Sequence, residues 1–218
     1  NVKLLRELII HKTKANVFIC ATITKGREGR ELTDIAALKQ EGVLAISDDG
    51  DSVESSDLLL EALEKANKVN ILVICHCEDK SLSKKGVVNL GFISTCLGLR
   101  GIPKEAEYKR VQRDIQLAQK LGTPIHITHV SCQESVELIA CAKKKNIKIS
   151  ADTCPHYFAL TEDAVSAYNT NAKINPPLRT KEDVAAIKEG LKSGIIDAIA
   201  SDHAPHTENE KEIEFEYA

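Results

Sequence analysis

A chain of 218 residues, 43% apolar and 28% charged, can bury a sizeable core, and a formal net charge of −3 excludes the basic surface that nucleic-acid binding requires. Seven cysteines, an odd number without a CxxC pair, argue against a disulfide framework and point to a reducing compartment, the cytoplasm. No apolar run reaches the length of a membrane span and no secretory leader is legible, so no membrane partner is expected.

The chain opens on Asn1-Val2-Lys3-Leu4-Leu5, already inside a helix-like pattern, and holds no methionine, so an incomplete chain is expected. Apolar runs bounded by turn signals predict strands at 17–21, 43–46 and 71–75. Tyr108, Val111, Ile115 and Ala118 share one helix face by their spacing. A strand follows at 125–130, and Ser131 with Glu134 predicts a capping box ahead of Val136, Leu138 and Ile139. Lys143, Lys144 and Lys145 read as the solvated end of that helix. The next strand is 147–151, and Thr180 is expected to cap a helix through Val184, Ile187 and Leu191. A last strand lies at 195–200, and the acidic segment 208–218 reads as a cut or mobile loop.

Alternating strands and helices imply an α/β fold with a parallel sheet covered by helices. Six strands fit either an open doubly wound sheet or part of a (β/α)8 barrel, and periodicity does not choose between them. No repeat or linker divides the chain, so 1–218 is expected to be a single domain.

Polar residues at the strand ends are more informative. The strands at 43–46, 71–75, 125–130 and 195–200 run into Asp48-Asp49-Gly50, His76-Cys77-Glu78-Asp79, His129-Val130-Ser131 and Asp202-His203-Ala204-Pro205-His206. Acids and imidazoles at the carboxyl ends of parallel strands occupy the rim where α/β barrels build active sites. Imidazole nitrogen and carboxylate oxygen are also the donors of catalytic zinc sites, although they suit manganese or cobalt too. Each residue has a plainer reading. Asp48-Asp49-Gly50 alone is a common turn, and His76 alone fits a satisfied rim histidine. His126 stands three residues before His129 and so faces the other side of the strand, which favours a structural role. Asn175-Pro176-Pro177 is a stiff loop whatever its purpose, yet it would present the Asn175 amide in a fixed direction.

Ser47-Asp48-Asp49-Gly50, His76-Cys77-Glu78-Asp79, His129-Val130-Ser131, Asn175-Pro176-Pro177-Leu178-Arg179 and Ser201-Asp202-His203-Ala204-Pro205-His206 together resemble, in this order, the motifs of bacterial class I dihydroorotases of the amidohydrolase superfamily. The resemblance covers essentially the whole chain. It implies a (β/α)8 TIM-type barrel, incomplete here, with the first strands and the C-terminal part missing. It implies zinc-dependent, reversible interconversion of dihydroorotate and N-carbamoyl-aspartate in pyrimidine biosynthesis, with two Zn2+ per complete site. Asp49 resembles the carboxylate that bridges the two ions, and His76 and His129 resemble ligands of the second. Asp202 resembles a ligand of the first ion that is also the catalytic base. Asn175 and His206 match substrate-binding residues, the latter near the substrate carboxylate. Cys154-Pro155-His156 is expected to line the pocket, although His156 fits an ordinary loop histidine as well. The chain departs from the family in having no His-x-His motif, which leaves the first ion without two of its ligands. Family partners would be a second copy of the chain or aspartate transcarbamoylase. Three rivals stay open. One is another cyclic amidohydrolase, a hydantoinase or allantoinase, which usually carries lysine in place of Asp49. The second is a non-catalytic scaffold of aspartate transcarbamoylase, and the third a barrel fragment that binds one zinc structurally.

Overall fold

The computed structural model describes residues 2–218. In chain order its elements are α1 (Val2–Lys12), β1 (Cys20–Ala21), α2 (Ile35–Gln40), β2 (Ala45–Ile46), α3 (Ser56–Lys68), β3 (Leu72–Cys75) and α4 (Lys80–Ser83). They continue with β4 (Val88–Asn89), α5 (Phe92–Leu97), β5 (Gly101–Ile102), α6 (Glu105–Leu121), β6 (Ile125–Ile127) and α7 (Gln133–Lys144). The last are β7 (Ile149–Thr153), α8 (Pro155–Ala159), α9 (Lys181–Lys192), β8 (Ala198–Ile199) and α10 (Glu208–Lys211).

Six strands form one parallel sheet in the order β1-β2-β3-β6-β7-β8, while β4 and β5 pair apart from it. Each of the six lies inside or overlaps a run read as a strand from the sequence. The spatial order follows the chain order without reversal, so the sheet has no topological switch point and is not doubly wound. The helices repeat that order, with α2 against α3, α3 against α6, α6 against α7 and α7 against α9. One layer of helices following one layer of parallel strands in sequence is the arrangement of a (β/α)8 barrel wall.

Alternation along the strands sets the two faces. Val73, Cys75, Ile125, Ile127 and Ala151 are buried in the cluster they form with Leu59, Leu63, Val111, Ile139 and Ile187 from the helices. The intervening residues Ile74, His126 and Ser150 are register partners across β3, β6 and β7, so they share the opposite face of the sheet. The helix starts behave as short-range chemistry dictates. Thr180 and Asp183 form a reciprocal capping box at α9.

Two local expectations differ from the structure. Ser131 does not cap α7, which begins at Gln133; the Ser131 hydroxyl donates to Glu107 and accepts from Arg179 Nε at 3.1 Å. Satisfying a buried carboxylate outweighs capping the helix. The acidic segment at the end is not a structureless loop, because it carries α10 and buries Phe215 in an apolar cluster with Tyr157 and Leu178.

Glu107 and Arg179 join distant parts of the wall. Arg179 Nη1 donates to Asn89 Oδ1 at 2.9 Å and to the Ile102 carbonyl at 3.1 Å, and Nη2 lies 3.4 Å from Glu107 Oε2. Glu107 Oε1 accepts the backbone N–H of Ser131 at 3.0 Å and of Cys132 at 3.2 Å. Burial pushes the Glu107 carboxyl up, but Arg179 and the Ser131 hydrogen bonds outweigh it and hold its pKa below the ordinary value. Removing one partner of such a pair strands the other charge. Arg179→Met is expected to cost about 3–5 kcal/mol of unfolding free energy, read from urea titration monitored by circular dichroism. A loss under about 1 kcal/mol would show that the pair carries no such strain when broken.

Candidate metal centre

Three strand ends deliver the centre. After β2, Asp48 turns inward and Asp49 outward. Asp48 Oδ1 accepts the N–H groups of Ile23 at 2.8 Å and Thr24 at 3.0 Å, and Oδ2 bonds the Thr24 hydroxyl, so Asp48 anchors the end of β1. Asp49 is the free member of the pair, with its side chain 49% exposed. After β3 comes His76, whose carbonyl accepts from Ser52 Oγ at 2.5 Å. After β6 the chain turns sharply, and His129 takes φ 41°, a left-handed conformation that costs a non-glycine residue energy. Asp152 on β7 holds that turn. Its carboxylate accepts the His129 N–H at 2.7 Å and its carbonyl accepts the Val130 N–H at 2.9 Å.

These turns bring Asp49, His76 and His129 together as a group of potential metal donors. His76 Nδ1 lies 2.8 Å from His129 Nε2 and 3.1 Å from Asp49 Oδ1, and His129 Nε2 lies 3.3 Å from the same oxygen. Four ligands placed tetrahedrally at zinc–nitrogen bond lengths are about 3.3 Å apart, so the triangle has the size of one face of such a site. Three protein ligands with a further position open is also the stoichiometry of catalytic rather than structural zinc. The residues therefore fit a metal ion.

Without an ion the same geometry traps a proton. Burial pulls the His76 pKa down, but hydrogen bonds to Asp49 and Glu78 outweigh it and lift the value to about 9. Hydrogen bonds from His129 and then His76 push the Asp49 pKa far below the ordinary carboxylate range. Burial raises Glu78, yet His76, Ser83 and Asn175 outweigh it and bring its pKa to about 2.

A cleft of about 360 Å³ holds the other residues that the motifs single out: Asp202, Asn175, His206 and His156 line it, beside Lys173 and Lys211. Asp202 stands outside the donor triangle, in a left-handed turn at φ 48° after β8. His206 is exposed and pairs loosely with Glu210 at 3.8 Å. Asn175 donates through Nδ2 to Glu78 Oε2 at 3.1 Å. Burial and the His129 charge lower the His156 pKa against the opposing pull of Asp202. Burial, then Asp202, Asp152 and Asp49, push the Cys154 thiol up to about 12. His126 is absent from the triangle; its nitrogens meet Ser150 Oγ and Asp152 Oδ2, both at 2.8 Å.

Sequence reasoning passed over Asp152 and gave Glu78 no role. A carboxylate inside the apolar run of β7 was the available signal for Asp152, since such a group needs a specific partner. For Glu78 the signal was its spacing, two residues beyond a candidate ligand.

A family described as Dihydro-orotase-like matches residues 1–135. The dihydroorotase of Caldicellulosiruptor saccharolyticus is 55% identical over 196 residues, 90% of this chain and 46% of that protein. That of Geobacter sulfurreducens is 51% identical over 220 residues, 99% of this chain and 52% of that protein. This chain thus spans about half the length of the curated relatives it matches. Among solved structures, the L-hydantoinase (dihydropyrimidinase) of Arthrobacter aurescens superposes with a TM-score of 0.80 at 21% identity, covering 97% of this chain and 48% of that one. At that identity the likeness is one of fold, and it matches the six-stranded parallel wall described above.

The centre is expected to bind one Zn2+ or Co2+, and His76→Ala or His129→Ala to weaken binding by more than about 100-fold in calorimetric titration. Unchanged affinity in both variants would remove the triangle as the site. Binding should also depend on pH, because the ion displaces the His76 proton. Below the His76 pKa of about 9 the apparent affinity should fall about tenfold per pH unit. In the metal-free protein the sign is reversed for stability. The raised His76 pKa stabilises the fold fully below its ordinary value of 6.5, and that contribution is lost as pH rises through about 9.

Proposed function

The chain belongs to the dihydro-orotase-like family, and on that premise we propose that it forms the metal-binding, catalytic part of a dihydroorotase. The activity is reversible hydrolysis of the ring amide of dihydroorotate to N-carbamoyl-aspartate. The observation that carries this reading is the convergence of Asp49, His76 and His129 on one point beside the cleft of Asp202, Asn175 and His206. A non-catalytic scaffold has no need of such convergence.

The proposed ion is zinc, two per complete site, with Asp49, His76 and His129 holding one and Asp202 serving the other. When bound, zinc polarises the scissile carbonyl and lowers the pKa of water toward neutrality. The chain's own groups then divide the work. Asp202 takes a proton from the attacking water and delivers it to the ring nitrogen as the carbon–nitrogen bond breaks. Asn175, held through Nδ2, has a carbonyl oxygen to accept from the ring N–H. Lys173 and Lys211 in the same cleft supply positive charge for a substrate carboxylate, and the His206 ring can donate a hydrogen bond to it. That cationic lining favours dihydroorotate over hydantoin or allantoin, which have no carboxylate to place there. All seven cysteines are free, which suits a cytoplasmic enzyme. Among the described residues no helix is long and apolar enough to cross a membrane.

The test offers dihydroorotate, hydantoin and allantoin to the zinc-loaded protein in its full-length natural form. Turnover of dihydroorotate alone, lost on chelation, is expected; turnover of another ring in its place overturns the substrate. Asp202→Asn should lower kcat by about 10²–10⁴-fold while the Asp49, His76 and His129 centre still binds its ion. Full activity in that variant would remove Asp202 as the base.

A further inference from the structure

The motif His76-Cys77-Glu78-Asp79 supplies a ligand in His76 and leaves Glu78 without an assignment. Its surroundings give it one. Glu78 Oε2 lies 3.2 Å from His76 Nε2, the ring nitrogen that faces away from the donor triangle. The same oxygen accepts from Asn175 Nδ2 at 3.1 Å, across 97 positions of sequence. The remaining oxygen, Oε1, accepts from Ser83 Oγ at 2.5 Å, and the Glu78 N–H donates to Ser52 Oγ at 3.0 Å. Ser52 Oγ in turn donates to the His76 carbonyl, so backbone and side chain of this turn are both fixed.

A histidine that ligates through one nitrogen must carry its proton on the other, and a carboxylate at that second nitrogen fixes both tautomer and ring orientation. One oxygen that serves a ligand ring and a loop amide at once makes their positions interdependent. We infer that Glu78 is a positioning residue that couples metal occupancy at His76 to the placement of the Asn175 loop. The inference rests on reading Asp49, His76 and His129 as a metal centre. With Nδ1 facing the triangle, Nε2 is the nitrogen that directs its hydrogen at Glu78. The shared oxygen then passes any shift of the ring to the Asn175 amide.

The experiment titrates the chain with Co2+, following the visible absorption of the bound ion, and with Zn2+, following the side-chain amide resonance of Asn175 by 15N NMR. In the unsubstituted chain the Co2+ band should appear and the Asn175 resonance should shift on adding Zn2+. Glu78→Ala should raise the metal dissociation constant by about 10–100-fold and abolish the Asn175 shift. Glu78→Asp keeps the charge but withdraws the carboxylate by one methylene. It is expected to weaken binding and alter the Co2+ band, whereas a purely electrostatic role would leave both unchanged. A folded Glu78→Ala or Glu78→Asp protein with the original affinity, band and Asn175 shift overturns the coupling while leaving the metal centre intact. An unsubstituted chain that binds neither ion overturns the metal reading and the coupling with it.

Discussion

The parallel register of β2, β3 and β6 is the constraint on which the site depends. Ala45 pairs with Leu72, Val73 with Ile125 and Cys75 with Ile127, so the three strands end on one rim. Each donor sits one to three residues past its strand end, and a slip of one residue would turn it to the opposite face. The pairing therefore has to be secured beyond the short ladders themselves. Asp48 does this for β1 and β2 by accepting two N–H groups of the neighbouring turn. Asp152 does it for β6 and β7 by holding the strained backbone of His129. Both carboxylates are taken up by backbone N–H groups and by the side chains of Thr24 and His126, and neither competes for Asp49, His76 and His129, which face one another.

That convergence is unfavourable by itself. Two imidazole nitrogens 2.8 Å apart are acceptable only if something positive lies between them or one carries a proton. A hydrogen on either facing nitrogen meets the need, with Asp49 Oδ1 beside both rings. An ion of charge two would meet it at all three donors at once. The raised pKa of His76 and the lowered pKa of Asp49 are thus two signs of a site shaped for a cation.

Much of this was legible in the sequence, and the limits have physical causes. Strand and helix runs are local patterns, so all six wall strands could be read, while barrel and doubly wound sheets differ only in strand order, which no local pattern encodes. His76 and His129 stood out as polar rings at the ends of apolar strands, although His76 alone fitted a rim histidine as well, and the structure brings the two together. Residue type alone does not separate Asp48 from Asp49; the resemblance singled out Asp49, and in the structure Asp48 bonds the backbone after β1 while Asp49 faces the two imidazoles. Ser131 had the spacing of a cap, but Glu107, which on its helix looks like one more acidic residue of the first turn, claims its hydroxyl. Asp202 was legible as a motif and not as a position, because β8 is short and the turn after it lies apart from the triangle.

The division between triangle and cleft has a chemical logic of its own. The bonds of Asp49 to His76, His129 and the Gly50 N–H all use Oδ1, which leaves Oδ2 available to a second cation. Arg179 and Ser131 explain why the loop of Asn175 and the turn of His129 stay in register with it. The two motifs share the buried pair of Arg179 and Glu107, so the loop that presents Asn175 is tied to the turn that presents His129. Glu78 adds a second tie on the opposite side, between Asn175 and His76. A loop held at one end by Glu78 and at the other by Arg179 can keep its amide in a fixed place relative to the Asp49, His76 and His129 triangle without a dedicated strand. That is how a stiff proline loop outside the sheet can serve chemistry centred on the rim.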